Sequence, residues 1–181
     1  NYIMPDIINK NSFSMDNYFY KQINDSSNDI CVLEPNYITL LNIILSIFIA
    51  YLFYNDYNIL LLMILMIIRT YLDILDGGIA RKCNKYSELG KQLDLSGDII
   101  LYILLIYTGY LKIPNESTII KNSVLICLII GIVLYINCLT TEYDFIKNIK
   151  LFSFIHDNTM IFIPISFYIY YLIIKKINES T

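Results

Sequence analysis

The sequence predicts an all-α integral membrane protein, a bundle of five or six transmembrane helices. Two observations predict it. Of the 181 residues, 56% are hydrophobic and the mean hydropathy is +0.55, too apolar for an ordinary soluble domain. The charges also avoid three long blocks, residues 35–55, 122–141 and 158–174, and uncharged apolar runs of this length are those that cross a bilayer. The chain is expected to divide into a polar N-terminal arm over residues 1–34, a transmembrane domain over 35–176 and a polar tail over 177–181. A net charge of −3 without a basic stripe gives no reason to expect nucleic acid as a partner.

The arm is rich in Asn, Asp and Ser and carries five acids against two lysines. It has no basic start followed by an apolar core, so no signal peptide is read in it, and its opening Asn1 suggests a natural start further upstream. It is expected to be a mobile or surface-lying segment with a weak amphipathic pattern over residues 13–23. Span one covers residues 39–54; Pro35 suits a helix entrance, with Asn36 or Thr39 as its cap. Ser46 and Ala50 have the small-xxx-small spacing of close helix contact. A turn at 55–58 leads to span two, residues 57–79, with the small residues Gly77, Gly78 and Ala80 at its boundary. Arg69, in its last turns, is read as snorkelling to the headgroups, with phosphate binding as the alternative.

The connection over 81–89 carries Arg81, Lys82 and Lys85, and span three covers 87–111. Pro114 marks a turn before span four at 119–139. Residues 140–157 mix charges with apolar positions and read as an interfacial helix or a broken span. The final span is 158–174, ending at Lys175 and Lys176. With the N-terminus inside, most basic residues, Arg81, Lys82, Lys85 and Lys91 among them, fall on the inner side, so the carboxylates described next face the cytosol. Cys31, Cys83, Cys127 and Cys138 lack metal-ligand spacing and read as unpaired. His156 reads as a structural residue at a helix mouth, and the Asn-x-Ser matches at Asn24, Asn115 and Asn178 carry little weight in an Asn-rich chain.

Chemistry concentrates between residues 73 and 98. Asp73 and Asp76 stand at i,i+3 near the end of span two, and Asp94 and Asp98 at i,i+4 near the start of span three, so each pair shares a helical face. A short connection makes the two helices antiparallel neighbours whose faces can meet. One or two acids would read as solvated helix ends. Four crowded together repel one another unless cations neutralise them, and an aspartate at the centre of a membrane helix costs roughly 2.5–3.5 kcal/mol. All-oxygen ligation suits a hard divalent ion, Mg2+ first, then Mn2+ or Ca2+.

The spacing D-x2-D-G-x2-A-R-x8-G-x3-D-x3-D, formed by Asp73, Asp76, Gly77, Ala80, Arg81, Gly90, Asp94 and Asp98, resembles the signature of the class-I CDP-alcohol phosphatidyltransferase family. A looser resemblance extends to Pro35, Asn36 and Thr39 at the first span. The resemblance implies six spans and transfer of a substituted phosphate from a CDP-linked donor to an alcohol hydroxyl, releasing CMP. It implies Asp73, Asp76 and Asp94 as metal ligands, and Gly77, Ala80, Arg81, Gly90, Asn36 and Thr39 along the CDP pocket. Asp98 is the candidate general base, a metal ligand, or both. Two divalent ions, Mg2+ or Mn2+, would grip the donor pyrophosphate.

The small size resembles the branch using CDP-diacylglycerol, with inositol, glycerol 3-phosphate or serine as acceptor. A CDP-choline or CDP-ethanolamine:diacylglycerol phosphotransferase is the alternative within the family. Outside it stand a divalent-cation carrier and a catalytically inactive membrane scaffold. The expected partners are the CDP-linked lipid donor, a small alcohol acceptor, membrane lipids and a second copy of the chain in a homodimer.

Overall fold

Polar residues on the inside and bare aliphatics on the outside define the helices of this chain. On the helix Pro35–Tyr54, Thr39, Asn42 and Ser46 are buried while Leu41, Ile44 and Phe48 are about half exposed. Water would impose the opposite arrangement; a lipid solvent permits it, because lipid tails give an outward Leu nothing to escape from. A computed structural model describes residues 14–114, 118–126, 129 and 158–180. Among these, every regular element is helical.

The elements are α1 (Met15–Asp25), a 3-10 turn (Asn28–Val32), α2 (Pro35–Tyr54), α3 (Ile59–Lys82), α4 (Glu88–Lys112) and α5 (Thr159–Ser180); residues 118–126 are helical as well. Three stretches, Pro35–Tyr54, Glu88–Lys112 and Thr159–Glu179, are long and apolar enough to cross a membrane. The 24-residue α3 matches them in length but interrupts its apolar run with Arg69, Asp73 and Asp76. This count is below the five or six expected; the predicted fourth span and the ambiguous stretch at 140–157, with His156, Cys127 and Cys138, lie largely or wholly outside the described residues.

Local chemistry sets the helix ends. Pro35 occupies the first turn of α2, where a missing N–H costs nothing. The cap residue there is Glu34, so Asn36 and Thr39 do not cap the helix as expected; both lie inside it. Asn58 caps α3 by accepting from the Leu60 N–H at 2.8 Å, and Ser87 caps α4 by accepting from the Gly90 N–H at 3.0 Å. Asn84, at φ 52°, supplies the left-handed residue that turns the chain after α3. α2 packs against α3 and α4, and α5 rests mainly on α3. Gly97 on α4 allows α2 to come close: a side-chain carbon there would lie 3.2 Å from Ile43.

The segment expected to be a mobile or surface-lying arm packs, over its described part, against the bundle. α1 lies across α3 and α5. Asp16 accepts from the Thr159 N–H at 2.9 Å and the Met160 N–H at 3.2 Å, so a carboxylate occupies the positive end of α5. Asn158 reciprocates, accepting from the Met15 N–H at 3.0 Å. Lys82 Nζ donates to the Ile23 and Ser26 carbonyls, and Lys85 pairs with Glu34 at 2.6 Å. Cys31 and Cys83, expected to be unpaired, form a disulfide with Cα atoms 5.6 Å apart. It joins the 3-10 turn to the end of α3, and a pairing 52 residues apart in sequence leaves no local signal.

Two side-chain clusters follow from this packing. The larger gathers Ile49, Leu52, Phe53, Leu62, Met66, Leu101, Phe167 and Ile174 at one end of the bundle. The smaller, Ile23, Ile74 and Ile79, seats α1 on α3 at the other end. The carboxylates lie at that second end.

Candidate active site

The direction of the helices layers the site. α3 runs toward the site end and α4 runs away from it, so along the bundle axis Arg69 and Asp98 lie farthest from that end, Asp73 next, and Asp76 and Asp94 nearest it; exposure does not follow this order, since the Asp98 side chain is 39% exposed and Asp76 only 3%. At 1.5 Å per residue, Arg69 is roughly 10 Å farther from that end than Asp76.

Each carboxylate of α3 is held by a buried polar side chain of α2. Thr39 Oγ1 donates to Asp76 Oδ2 at 2.6 Å, and Asn42 Nδ2 donates to Asp73 Oδ1 at 3.1 Å. Residues 39 and 42 share a face of α2 as 73 and 76 share a face of α3, so two rungs connect the helices. Thr39, predicted along a nucleotide pocket, therefore also orients a predicted metal ligand. Asn42 was not singled out from sequence, although a lone amide three residues after Thr39 in an apolar run is a readable signal.

The third contact involves Arg69. Its Nη2 donates to Asp98 Oδ1 at 2.5 Å and lies 3.5 Å from Asp73 Oδ1. The side chain is 1% exposed, so it does not snorkel to the headgroups as expected. Its guanidinium turns inward instead, onto the two aspartates.

At the mouth, Asp94 is exposed on α4 and is an electrostatic neighbour of Asp76, Asp98, Arg69 and Arg81. The Arg81 guanidinium stacks over the Tyr20 ring, 4.0 Å from its centroid, and reaches back over Gly77, where a side-chain carbon would lie 3.3 Å from Nη2. Burial pushes the Tyr20 phenol above its usual pKa, against the pull of Arg81. Tyr20 could not be assigned from sequence because its partner is 61 residues away. Gly90 faces Asn36: a side-chain carbon there would lie 2.8 Å from Asn36 Oδ1. Asn36, Gly90, Gly77 and Arg81 thus line the same end of the bundle as the carboxylates. Ala80 is half-buried beside them.

Among the described residues, no three carboxylate, His or Cys side chains converge on one point as a ready-made metal shell. The donor chemistry nevertheless fits a hard divalent cation. It consists of oxygens alone, and Asn42 Oδ1 is buried without a hydrogen-bond partner beside Asp73. The arrangement can hold a cation at its mouth, an anion against Arg81, and a hydroxyl near Asp98.

The family model described as CDP-alcohol phosphatidyltransferase matches residues 32–176. No curated protein and no solved structure matches the chain.

Proposed function

The chain belongs to the CDP-alcohol phosphatidyltransferase family, a family of phosphotransferases, and on that premise we propose that it moves a phosphatidyl group from CDP-diacylglycerol to the hydroxyl of a small alcohol, releasing CMP. The observation that carries this reading is the set of cross-helix contacts on three motif carboxylates: Thr39 on Asp76, Asn42 on Asp73 and Arg69 on Asp98. Buried groups that hold the carboxylates in place are what a preorganised centre requires, whereas solvated helix ends require none of them.

Asp73, Asp76 and Asp94 are the residues that would hold a divalent cation, Mg2+ or Mn2+. Bound there, it supplies charge neutralisation for the donor pyrophosphate and for the departing phosphate. The chain's own groups do the rest. Thr39 and Asn42 keep Asp76 and Asp73 oriented, Arg81 offers its planar donor fork to a phosphate, and Gly77, Ala80 and Gly90 leave room for the CDP beside Asn36. Asp98 takes the proton of the acceptor hydroxyl as that oxygen bonds to the lipid-linked phosphorus. The bond from this phosphorus to the bridging oxygen breaks, and CMP leaves with that oxygen. Arg69 fixes Asp98 by donating to its carboxylate.

The basic residues around 81–91 favour a site facing the cytosol. The Cys31–Cys83 bridge at the same end is the observation that favours an oxidising compartment instead. Single cysteines at Tyr86 and Tyr57, in a chain otherwise free of cysteine, label from opposite faces of a sealed membrane, and the side from which Tyr86→Cys reacts decides the orientation. The reaction itself is tested with purified protein in lipid micelles containing Mg2+ and CDP-diacylglycerol. CMP release should require one acceptor among inositol, glycerol 3-phosphate and serine. CMP release from CDP-choline or CDP-ethanolamine with diacylglycerol, and from none of the first set, would reassign the donor.

A further inference from the structure

Arg81 is an exposed arginine on the motif helix, yet its guanidinium is given a platform by a different element. The side chain folds back one turn along α3, where a side-chain carbon on Gly77 would lie 3.3 Å from Nη2. There its charge is felt by Asp94 of α4. The Tyr20 ring of α1 covers one face of the guanidinium, with Cζ 4.0 Å from the ring centroid. A stack of this kind fixes the plane of an arginine and leaves its N–H groups, which point outward in that plane, open to a phosphate. Rotamer freedom is thereby reduced before any ligand arrives, which lowers the cost of binding one.

The contacts that place the ring fall between residues 71 and 83, around the motif itself. Gly78 admits α1, since a side-chain carbon there would lie 2.7 Å from Ile23 Cδ1 and 3.5 Å from Tyr20 Cδ1. Phe19 packs edge-on against Tyr71, with centroids 5.6 Å apart. Lys82, next to Arg81, donates to the Ile23 and Ser26 carbonyls, and Cys83 is bonded to Cys31 beyond α1. α1 ends before residue 32, where the family match begins. The motif supplies the arginine, and the chain's own arm supplies the surface it rests on.

We propose that Tyr20 is a positioning residue that presents the Arg81 guanidinium to the diphosphate of a CDP-linked donor, so that α1 forms one wall of the site. The inference rests on the reading of Arg81 as a phosphate-binding group given above. It is tested by a double-mutant cycle on the purified full chain, read as CDP binding by calorimetry with Mg2+ present. Tyr20→Leu should weaken binding roughly 2–5-fold, the worth of an exposed cation–π contact. Tyr20→Phe, which keeps the ring, should bind as wild type does. Arg81→Gln should also weaken binding, and adding Tyr20→Leu to it should change nothing further, because Tyr20 acts through the arginine. Phe19→Leu loosens the seat of α1 without touching Arg81 and should leave CDP affinity unchanged. If Tyr20→Leu does not fold, Tyr20→Met takes its place in the cycle. Unchanged affinity in the Tyr20 variant or in Arg81→Gln would overturn the inference. So would equal losses from the Tyr20 variant with and without Arg81, or an equal loss from Phe19→Leu, since either outcome makes the ring a purely structural group. A wild-type chain that binds no CDP would overturn the donor reading as well.

Discussion

The two ends of the bundle are made by the same helices and held by opposite means. At one end α2, α3, α4 and α5 meet around Phe53, whose ring packs edge-on against Phe167 at 5.6 Å, within an almost wholly apolar cluster. At the other, α2, α3 and α4 meet through Thr39, Asn42, Arg69 and the aspartates. The apolar end needs only the right volumes, since dispersion has no direction. The charged end needs particular atoms at particular distances, and it tolerates the unpartnered Asn42 Oδ1 and Arg69 Nε and Nη1. A protein that only had to cross a membrane could have used the first solution at both ends.

The comparison can be broken at either end. The largest effect is expected at the charged end. Asp98→Asn should lower kcat by roughly 10²–10⁴-fold, the usual worth of a positioned general base, without a matching loss of thermal stability; a near-normal rate would remove Asp98 from the mechanism. At the apolar end Phe53→Ala should reverse the pattern. It should cost about 3–5 kcal/mol of stability, seen as a lower midpoint in detergent unfolding, with kcat preserved in the protein that remains folded. Equal losses in both readouts would show that the two ends are not separable.

A smaller effect is expected one step from the carboxylates. Thr39→Val keeps the shape of the side chain and removes the donor to Asp76. Divalent-ion affinity should fall by roughly 10–100-fold, with little change in stability. The smallest effect belongs to the α1–α5 junction. Asp16→Ala removes the cap on α5 and should destabilise by about 0.5–2 kcal/mol; protection of α5 amides from hydrogen exchange should fall before that of α3.

What could be read in the sequence follows the same division. The observed α2, α3, α4 and α5 start and stop within a few residues of the predicted spans at 39–54, 57–79, 87–111 and 158–174, apart from a longer C-terminal end on α5, because a bilayer imposes length and apolarity locally. The motif spacing was legible for a related reason, since Asp73, Asp76, Asp94 and Asp98 sit at fixed helical offsets. What could not be read depends on which elements meet. Thr39 finds Asp76 across 37 residues, Asn42 finds Asp73 across 31, and Cys31 finds Cys83 across 52. Arg69 lies between these cases. Its position one turn before Asp73 was readable, but its pairing with Asp98 and its burial, which exclude the snorkelling first assigned to it, needed the fold.

The central claim is that the charged end is a cation-dependent transfer centre. It is met most directly by stripping the purified protein with EDTA and following CMP release from CDP-diacylglycerol in the presence of the acceptor panel. Release should be abolished without divalent ion, should return on addition of Mg2+, and should stay absent in Asp76→Asn at the same Mg2+ concentration. Full turnover in metal-free buffer, or an Asp76→Asn protein as fast as wild type, would contradict the account.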